Sequence, residues 1–194
     1  GKGANLAAMA SIGLPVPPGF TITTDVCTYY YSHKKTYPKV LDSQIRSSVA
    51  IVERQMGKKL GDLKNPLLLS VRSGARDSMP GMMETILNIG LTSKTIPSMI
   101  KISGDERFVY DSYRRLIMMY ADVVMEKALK LNKSTNPIRV LMEKELESVK
   151  KNKGYKNDSN MKAEDWKVLS NKYLTMVEKE FGVPFPDDHY EQLY

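Results

Sequence analysis

The spacing of apolar positions divides the chain into a mixed first part and a helical second part. Leu41, Ile45, Val49, Val52 and Met56 recur every three or four residues. That predicts an amphipathic helix, ended by Gly57. Upstream, GKGANLAAMASIG (1–13) reads as a helix with a glycine-rich start. Leu6, Met9, Ala10 and Ile12 fall on one side of it, and Gly13 stops it. The segment LPVPPGF (14–20) cannot be helical and is expected to be extended. FTITT (20–24) alternates apolar and β-branched polar residues, which predicts a strand, and Thr24 can cap a helix starting at Asp25. PLLLSVRS (66–73) is apolar enough for a buried strand, and METILNIGL (83–91) alternates well enough to partner it. The loop between them, GARDSMPG, is rich in turn formers.

Beyond residue 100 the period is helical. Tyr110, Tyr113, Leu116, Ile117, Tyr120, Val123 and Val124 form one face. Asn136-Pro137 reads as a cap and a first-turn proline opening another helix. Trp166, Leu169, Tyr173 and Val177 mark a last helix, broken by FGVPFP. The fold class is therefore α+β, with a mixed sheet at residues 20–91 and a mostly helical second half. No internal repeat is visible.

Composition narrows the function. The chain has 194 residues, 42% of them hydrophobic, which suits a packed interior. No run approaches the roughly 20 apolar residues of a membrane helix, and no signal-peptide pattern is present. Cys27 is the single cysteine, so no disulfide can form within the chain and a reducing compartment fits. It reads as a small core residue rather than a reactive thiol. The sequence opens on GKGANL and ends on HYEQLY, which reads as a piece of a longer protein. The net charge is +7, and residues 126–172 hold 12 Lys/Arg against 7 Asp/Glu. These charges lie on helical segments and a polar loop with little aromatic interleaving, so they read as a solvated face rather than a nucleic-acid footprint. His33 and His189 have no nearby Cys or His for a zinc site and read as surface residues.

Two places carry candidate chemistry. Lys2 stands between Gly1 and Gly3 at a helix N-terminus, where free N–H groups and the helix dipole favour an anion. The P-loop spacing is absent, and the two glycines could equally make a plain turn. Arg72 leaves an apolar strand at its C-terminal end. A guanidinium matches phosphate bidentately and keeps its charge, although a salt bridge is the commoner use. The loop after it offers Gly74 and Gly81 for close backbone approach, and Ser73 and Ser78 as hydroxyl donors. Arg76 and Asp77 read as an exposed pair. Met79, Met82 and Met83 are core filler or a soft wall for a flat base. An arginine and a lysine beside separate glycine-rich turns favour phosphate binding.

The segments GKGANLAAMASIGLPVPPGFTITT, NPLLLSVRSGARDSMPGMMETILNIGL and VYDSYRRLIMMYADVVME resemble the amino-terminal part of pyruvate, phosphate dikinases. The resemblance covers nearly all of residues 1–127, and SVRSGARDSMPGMMETILN is its most specific stretch. It implies an ATP-grasp nucleotide-binding domain, with residues 1–127 as its first lobe and 128–194 as a truncated helical extension. It implies that Lys2 and Arg72 are ATP-phosphate ligands. Gly74, Ser78, Pro80 and Gly81 would belong to a glycine-rich loop that closes over the nucleotide. The family turns ATP, phosphate and pyruvate into AMP, pyrophosphate and phosphoenolpyruvate, through a phosphohistidine on another domain. No catalytic residue and no metal ligand is expected in this chain. Mg²⁺ would come with ATP, and its protein ligands would lie elsewhere. The expected partners are ATP here, with pyruvate and phosphate acting through other domains, in a possible homodimer. Nucleic acid and membrane are not expected, and the setting is cytoplasm or the reducing interior of an organelle. With half of the cleft absent, the isolated chain is expected to be inactive. The alternatives are a phosphoenolpyruvate synthase-like lobe and a non-catalytic basic binding module.

Overall fold

The computed structural model describes residues 1–74, 85–132 and 134–194. They fall into two compact units: Gly1–Leu60 with Arg72–Glu84, and Gly61–Val71 with Thr85–Tyr194.

The first unit holds α1 (Lys2–Ser11), α2 (Thr24–Ser32), α3 (Leu41–Met56) and the short β1 (Lys59–Leu60). The period-3.6 pattern at 41–56 is realised as α3, which buries Leu41, Ile45, Val49 and Val52. Gly57 ends it in the left-handed region at φ 61°, where a side chain would be strained. Beyond that turn the Leu60 N–H donates to Glu53 Oε1 at 2.9 Å, tying β1 back to α3. Neither α1 nor α2 buries a residue. The apolar side of α1 is open to solvent, with Ile12 75% exposed.

Three expectations fail in this unit. Residues 20–23 form no strand. Alternation alone does not make a strand without a neighbour to pair with, and Phe20, Thr21, Ile22 and Thr23 instead line an open groove of ≈ 490 Å³ with Leu41 and Ile45. The mixed sheet therefore does not extend to residue 20. The next helix starts one residue early, so that Thr23 rather than Thr24 is its N-cap. Cys27 is exposed, because α2 has no buried face to place it on.

The second unit holds β2 (Pro66–Leu67), β3 (Leu69–Arg72, less its last residue), β4 (Thr85–Ile89) and the helices that follow. β3 and β4 are hydrogen-bonded neighbours, as expected. The expected single buried strand is interrupted at Leu68. Pro66 and Leu67 are buried, but Ser70, Val71 and Arg72 are exposed. The apolar run thus continues past the core rather than through it.

The helices are α4 (Ile96–Ser103), α5 (Glu106–Tyr120), α6 (Ile138–Lys153), α7 (Ala163–Phe181) and α8 (His189–Leu193). Asp105 caps α5, accepting from the Phe108 N–H at 2.9 Å. α5 runs on into a π-helical segment, Ala121–Ala128, that buries Ala121, Asp122 and Met125. The expected cap at Asn136 is displaced: Pro137 is the N-cap of α6, with no side-chain bond of its own. Glu126 supplies the missing acceptor, taking the Ile138 N–H at 2.7 Å and the Asn132 amide at 2.8 Å.

α5 packs against α7, which completely buries Trp166, Leu169, Tyr173 and Val177. The buried Arg114 guanidinium lies 4.5 Å over the Trp166 ring and pairs with Asp111 at 2.8 Å and Asp158 at 3.4 Å. The buried positive charge of Arg114 is thus offset by these two carboxylates.

Asp165, at the start of α7, is buried yet charged. Burial alone would raise its pKa, but bonds from Lys153, the Lys162 N–H (2.9 Å) and the Tyr155 hydroxyl (3.2 Å) outweigh that and hold it below its ordinary value of 3.8. A depressed folded-state pKa stabilises the fold above the unfolded-state value and stops doing so as pH falls through the lowered one. Asp165→Asn should therefore be less stable than the parent chain at neutral pH, with the gap closing below about pH 4. Urea midpoints measured from pH 7 to pH 2 check this. A gap that stays constant would contradict it.

The chain's last turn is latched to the end of β4. Gln192 accepts from the Gly90 N–H at 2.9 Å and donates to the carbonyls of Leu91 (3.2 Å) and Pro186 (3.0 Å). Its amide is buried. Gln192→Ala leaves the Gly90 N–H and two carbonyls without this partner, and about 2–3 kcal/mol of stability should be lost. Gln192→Glu should fare no better at neutral pH, since a carboxylate cannot donate to either carbonyl. Unchanged urea midpoints would show that water replaces the amide freely.

Candidate functional site

The first unit brings the two basic residues singled out above into one neighbourhood. Lys2 is the first residue of α1, with Gly1 as its N-cap. The intrahelical ladder starts with the Asn5 N–H bonding the Gly1 carbonyl at 3.1 Å. The N–H groups of the preceding turn therefore have no acceptor within the helix. Lys2 Nζ donates to the Ser73 carbonyl at 3.3 Å, across 71 residues of chain. Ser73 directly follows Arg72, so the ammonium stands beside the backbone that carries the guanidinium.

Arg72 is the last residue of β3 and is exposed. Among the described residues it has no carboxylate partner, so the salt-bridge use of this arginine finds no support there. One ammonium, one guanidinium and the open end of a ten-residue helix thus lie in one unit. Such a set suits an anion with several oxygens.

The glycines differ in what they do. A Cβ at Gly3 would meet Thr21 Oγ1 at 2.6 Å and Cγ2 at 2.7 Å. The space beside Gly3 is therefore occupied by protein. At Gly74 a Cβ would meet no atom of the described residues within 4 Å, and the backbone is not left-handed. Neither packing against the described residues nor conformation demands glycine there. Ser78, Pro80 and Gly81 lie outside the described residues, as do Arg76, Asp77, Met79, Met82 and Met83.

The histidines have contacts of their own. His33 is exposed and stacks on Tyr29 with ring centroids 3.7 Å apart. His189 is half-buried, with its ring against Gly61. Among the described residues, no three His, Cys, Asp or Glu side chains gather to hold a metal ion. None of the helices searched among them is long and apolar enough to cross a membrane.

Thr21 is the residue that sequence reasoning missed. The available signal was Gly3 itself, because a glycine inside a helical pattern asks what approaches it.

Comparison with known proteins gives the class first. Residues 1–49 match the family described as "Pyruvate phosphate dikinase, AMP/ATP-binding domain". The particular relatives agree over the whole chain. It is 43% identical to pyruvate, phosphate dikinase of Rhizobium meliloti (strain 1021), with all of this chain and 20% of that protein aligned. It is 44% identical to the Clostridium symbiosum enzyme of the same name, with all of this chain and 21% of that protein aligned. It is 47% identical to pyruvate, phosphate dikinase 1, chloroplastic, of Zea mays, over 193 residues and 19% of that protein. The chain is thus similar, end to end, to a segment of pyruvate, phosphate dikinases, and it spans about a fifth of the length of these relatives.

Proposed function

We propose that this chain is the first lobe of the ATP-grasp nucleotide-binding domain of a pyruvate, phosphate dikinase, with residues 1–127 as the lobe and 128–194 as its helical extension. The observation that carries the reading is the approach of Lys2 Nζ to the Ser73 carbonyl, 3.3 Å away and one residue from Arg72. Two cations far apart in sequence share one end of one unit, in a chain whose first quarter matches an AMP/ATP-binding family.

In this reading the Arg72 fork takes two phosphate oxygens of ATP, and Lys2 adds a point charge on the same side. The free N–H groups of α1 face the same charge. The segment carrying Gly74, Ser78, Pro80 and Gly81 closes over the nucleotide. These groups orient the phosphates and offset the negative charge that moves during transfer, which is positional and electrostatic catalysis. Mg²⁺ would come with ATP and offset phosphate charge, with its protein ligands in other parts of the enzyme. Pyruvate, phosphate and the phosphohistidine likewise belong elsewhere, and the isolated lobe is inactive. A single exposed cysteine suits a reducing compartment, in the cytoplasm or within an organelle.

The test uses the intact protein from which the chain comes. It is given ATP, Mg²⁺ and pyruvate, with and without inorganic phosphate. Phosphoenolpyruvate, AMP and pyrophosphate, formed only when phosphate is present, are expected. AMP and phosphate formed without a phosphate requirement would move the lobe to a phosphoenolpyruvate synthase. No phosphoenolpyruvate under either condition would overturn the reading.

A further inference from the structure

We propose that Thr21 is a positioning residue for Lys2: its side chain seats the first turn of α1, and residue 3 is glycine to admit it. The inference rests on the nucleotide reading above.

The contact is close and stiff. A Cβ on Gly3 would lie 2.6 Å from Thr21 Oγ1, 2.7 Å from Cγ2 and 3.2 Å from Cβ. Both outer atoms are bonded directly to a β-branched Cβ, so turning χ1 exchanges one for the other without clearing the space. The backbone at Gly3 is not left-handed, and it lies inside a helix where alanine is the better former. What glycine provides here is room for Thr21.

The chain delivers Thr21 to this place by a stiff route. α1 has ten residues and so is about 15 Å long. It ends at Ile12, and Gly13, at φ 82°, turns the chain. The following segment carries Pro15, Pro17 and Pro18, whose fixed φ angles limit where it can go. Thr21 comes directly after it and rests on the opposite end of α1 from Gly13. Thr21, within the stretch that failed to become a strand, thus abuts the first turn of α1.

Lys2 is next to Gly3 and reaches Ser73 through a flexible four-carbon stem. The stem can absorb small errors, but the Cα must be held for the ammonium to stay beside Arg72. Thr21 makes no side-chain hydrogen bond among the described residues, so its contribution is shape. The valine isostere should therefore replace it.

The experiment measures the KM for ATP, the KM for pyruvate and kcat in the intact protein, for Gly3→Ala, Thr21→Ala, Thr21→Val, the double variant Gly3→Ala/Thr21→Ala, and Lys2→Ala. Circular dichroism reports folding. A displacement near 1 Å can cost on the order of 10²-fold, so Gly3→Ala should lose about that much in kcat/KM for ATP, with the KM for pyruvate unchanged. Adding Thr21→Ala should restore most of the loss. Thr21→Ala alone should raise the KM for ATP several-fold, and Thr21→Val should match the parent. A folded Gly3→Ala that behaves like the parent, or a folded double variant no better than Gly3→Ala, overturns the proposal. If Gly3→Ala does not fold, the threonine pair decides: Thr21→Ala equal to the parent overturns it. Lys2→Ala separates this inference from its premise. If Lys2→Ala leaves the KM for ATP and kcat unchanged, the nucleotide reading of Lys2 fails. If Lys2→Ala is severe while Gly3→Ala is silent, only the role of Thr21 fails.

Discussion

Arg72→Ala in the intact protein is expected to lower ATP-dependent phosphoryl transfer by about 10³-fold or more, the scale on which an arginine acts on transferring phosphoryl groups. The fold should not notice. Arg72 is exposed at the end of β3, and among the described residues no ion pair depends on it. Exposed substitutions of this kind change stability by no more than about 0.5 kcal/mol, or about 1–2 °C in Tm for a domain of this size. Arg72→Lys should recover little, because an ammonium cannot make two parallel bonds to a phosphate. Quenched single-turnover measurement of ATP consumption, with a thermal melt of the same sample, separates chemistry from folding. Normal turnover by the alanine variant would remove Arg72 from the site. A large drop in Tm would show that the guanidinium is structural.

The largest expected change in stability is Trp166→Ala. The indole is completely buried on α7, under the Arg114 guanidinium. Its removal leaves a cavity and uncovers a buried cation. The cavity alone costs about 3–5 kcal/mol, a large share of the about 5–15 kcal/mol that holds a typical domain folded. Trp166→Phe should behave differently. The Trp166 Nε1 is buried and finds no acceptor among the described residues; a buried donor left in that state costs about 1–3 kcal/mol. Phenylalanine removes that cost while keeping one ring under Arg114, so the two effects should nearly cancel. Urea unfolding of the chain, followed by far-UV circular dichroism, compares the two variants. If phenylalanine costs as much as alanine, the indole N–H has a partner after all.

What the sequence made legible, and what it hid, follows from the range of the interactions. The buried stripes of α3 and α7 were readable, because each recurs at helical spacing, and so was the glycine that ends α3, Gly57; the start of α7 and its buried Asp165 and Ser170 were not. The strand ending in Arg72 was readable from apolar content and its partner β4 from alternation, although not the break at Leu68 or the exposure of Ser70 to Arg72. FTITT misled because alternation describes a strand's own faces and says nothing about a neighbour. The tyrosine-rich face of α5 was legible, but not the change to a π-helix at Ala121, since apolar residues continue through it. Glu126 as the cap of α6 was hidden for the same reason that Lys2 beside Ser73 was: both pair residues that local spacing cannot connect. For the site, Lys2 and Arg72 were found by charge type, by their glycine neighbours and by family resemblance. Thr21 was missed because its part is to fill space, which leaves no mark in charge or hydropathy.

The Gln192 latch also bears on how the protein is made. The Gly90 N–H and the Leu91 carbonyl take their partner from a residue 102 and 101 positions later. At about 5–20 residues per second, a ribosome needs roughly 5–20 s to travel that far. Throughout that interval β4 has its paired strand β3 but not the amide that closes its end. The nascent second unit should therefore stay accessible to chaperones and proteases until its final helix leaves the tunnel. A stalled chain cut short before Gln192 should be degraded faster than one only a few residues longer.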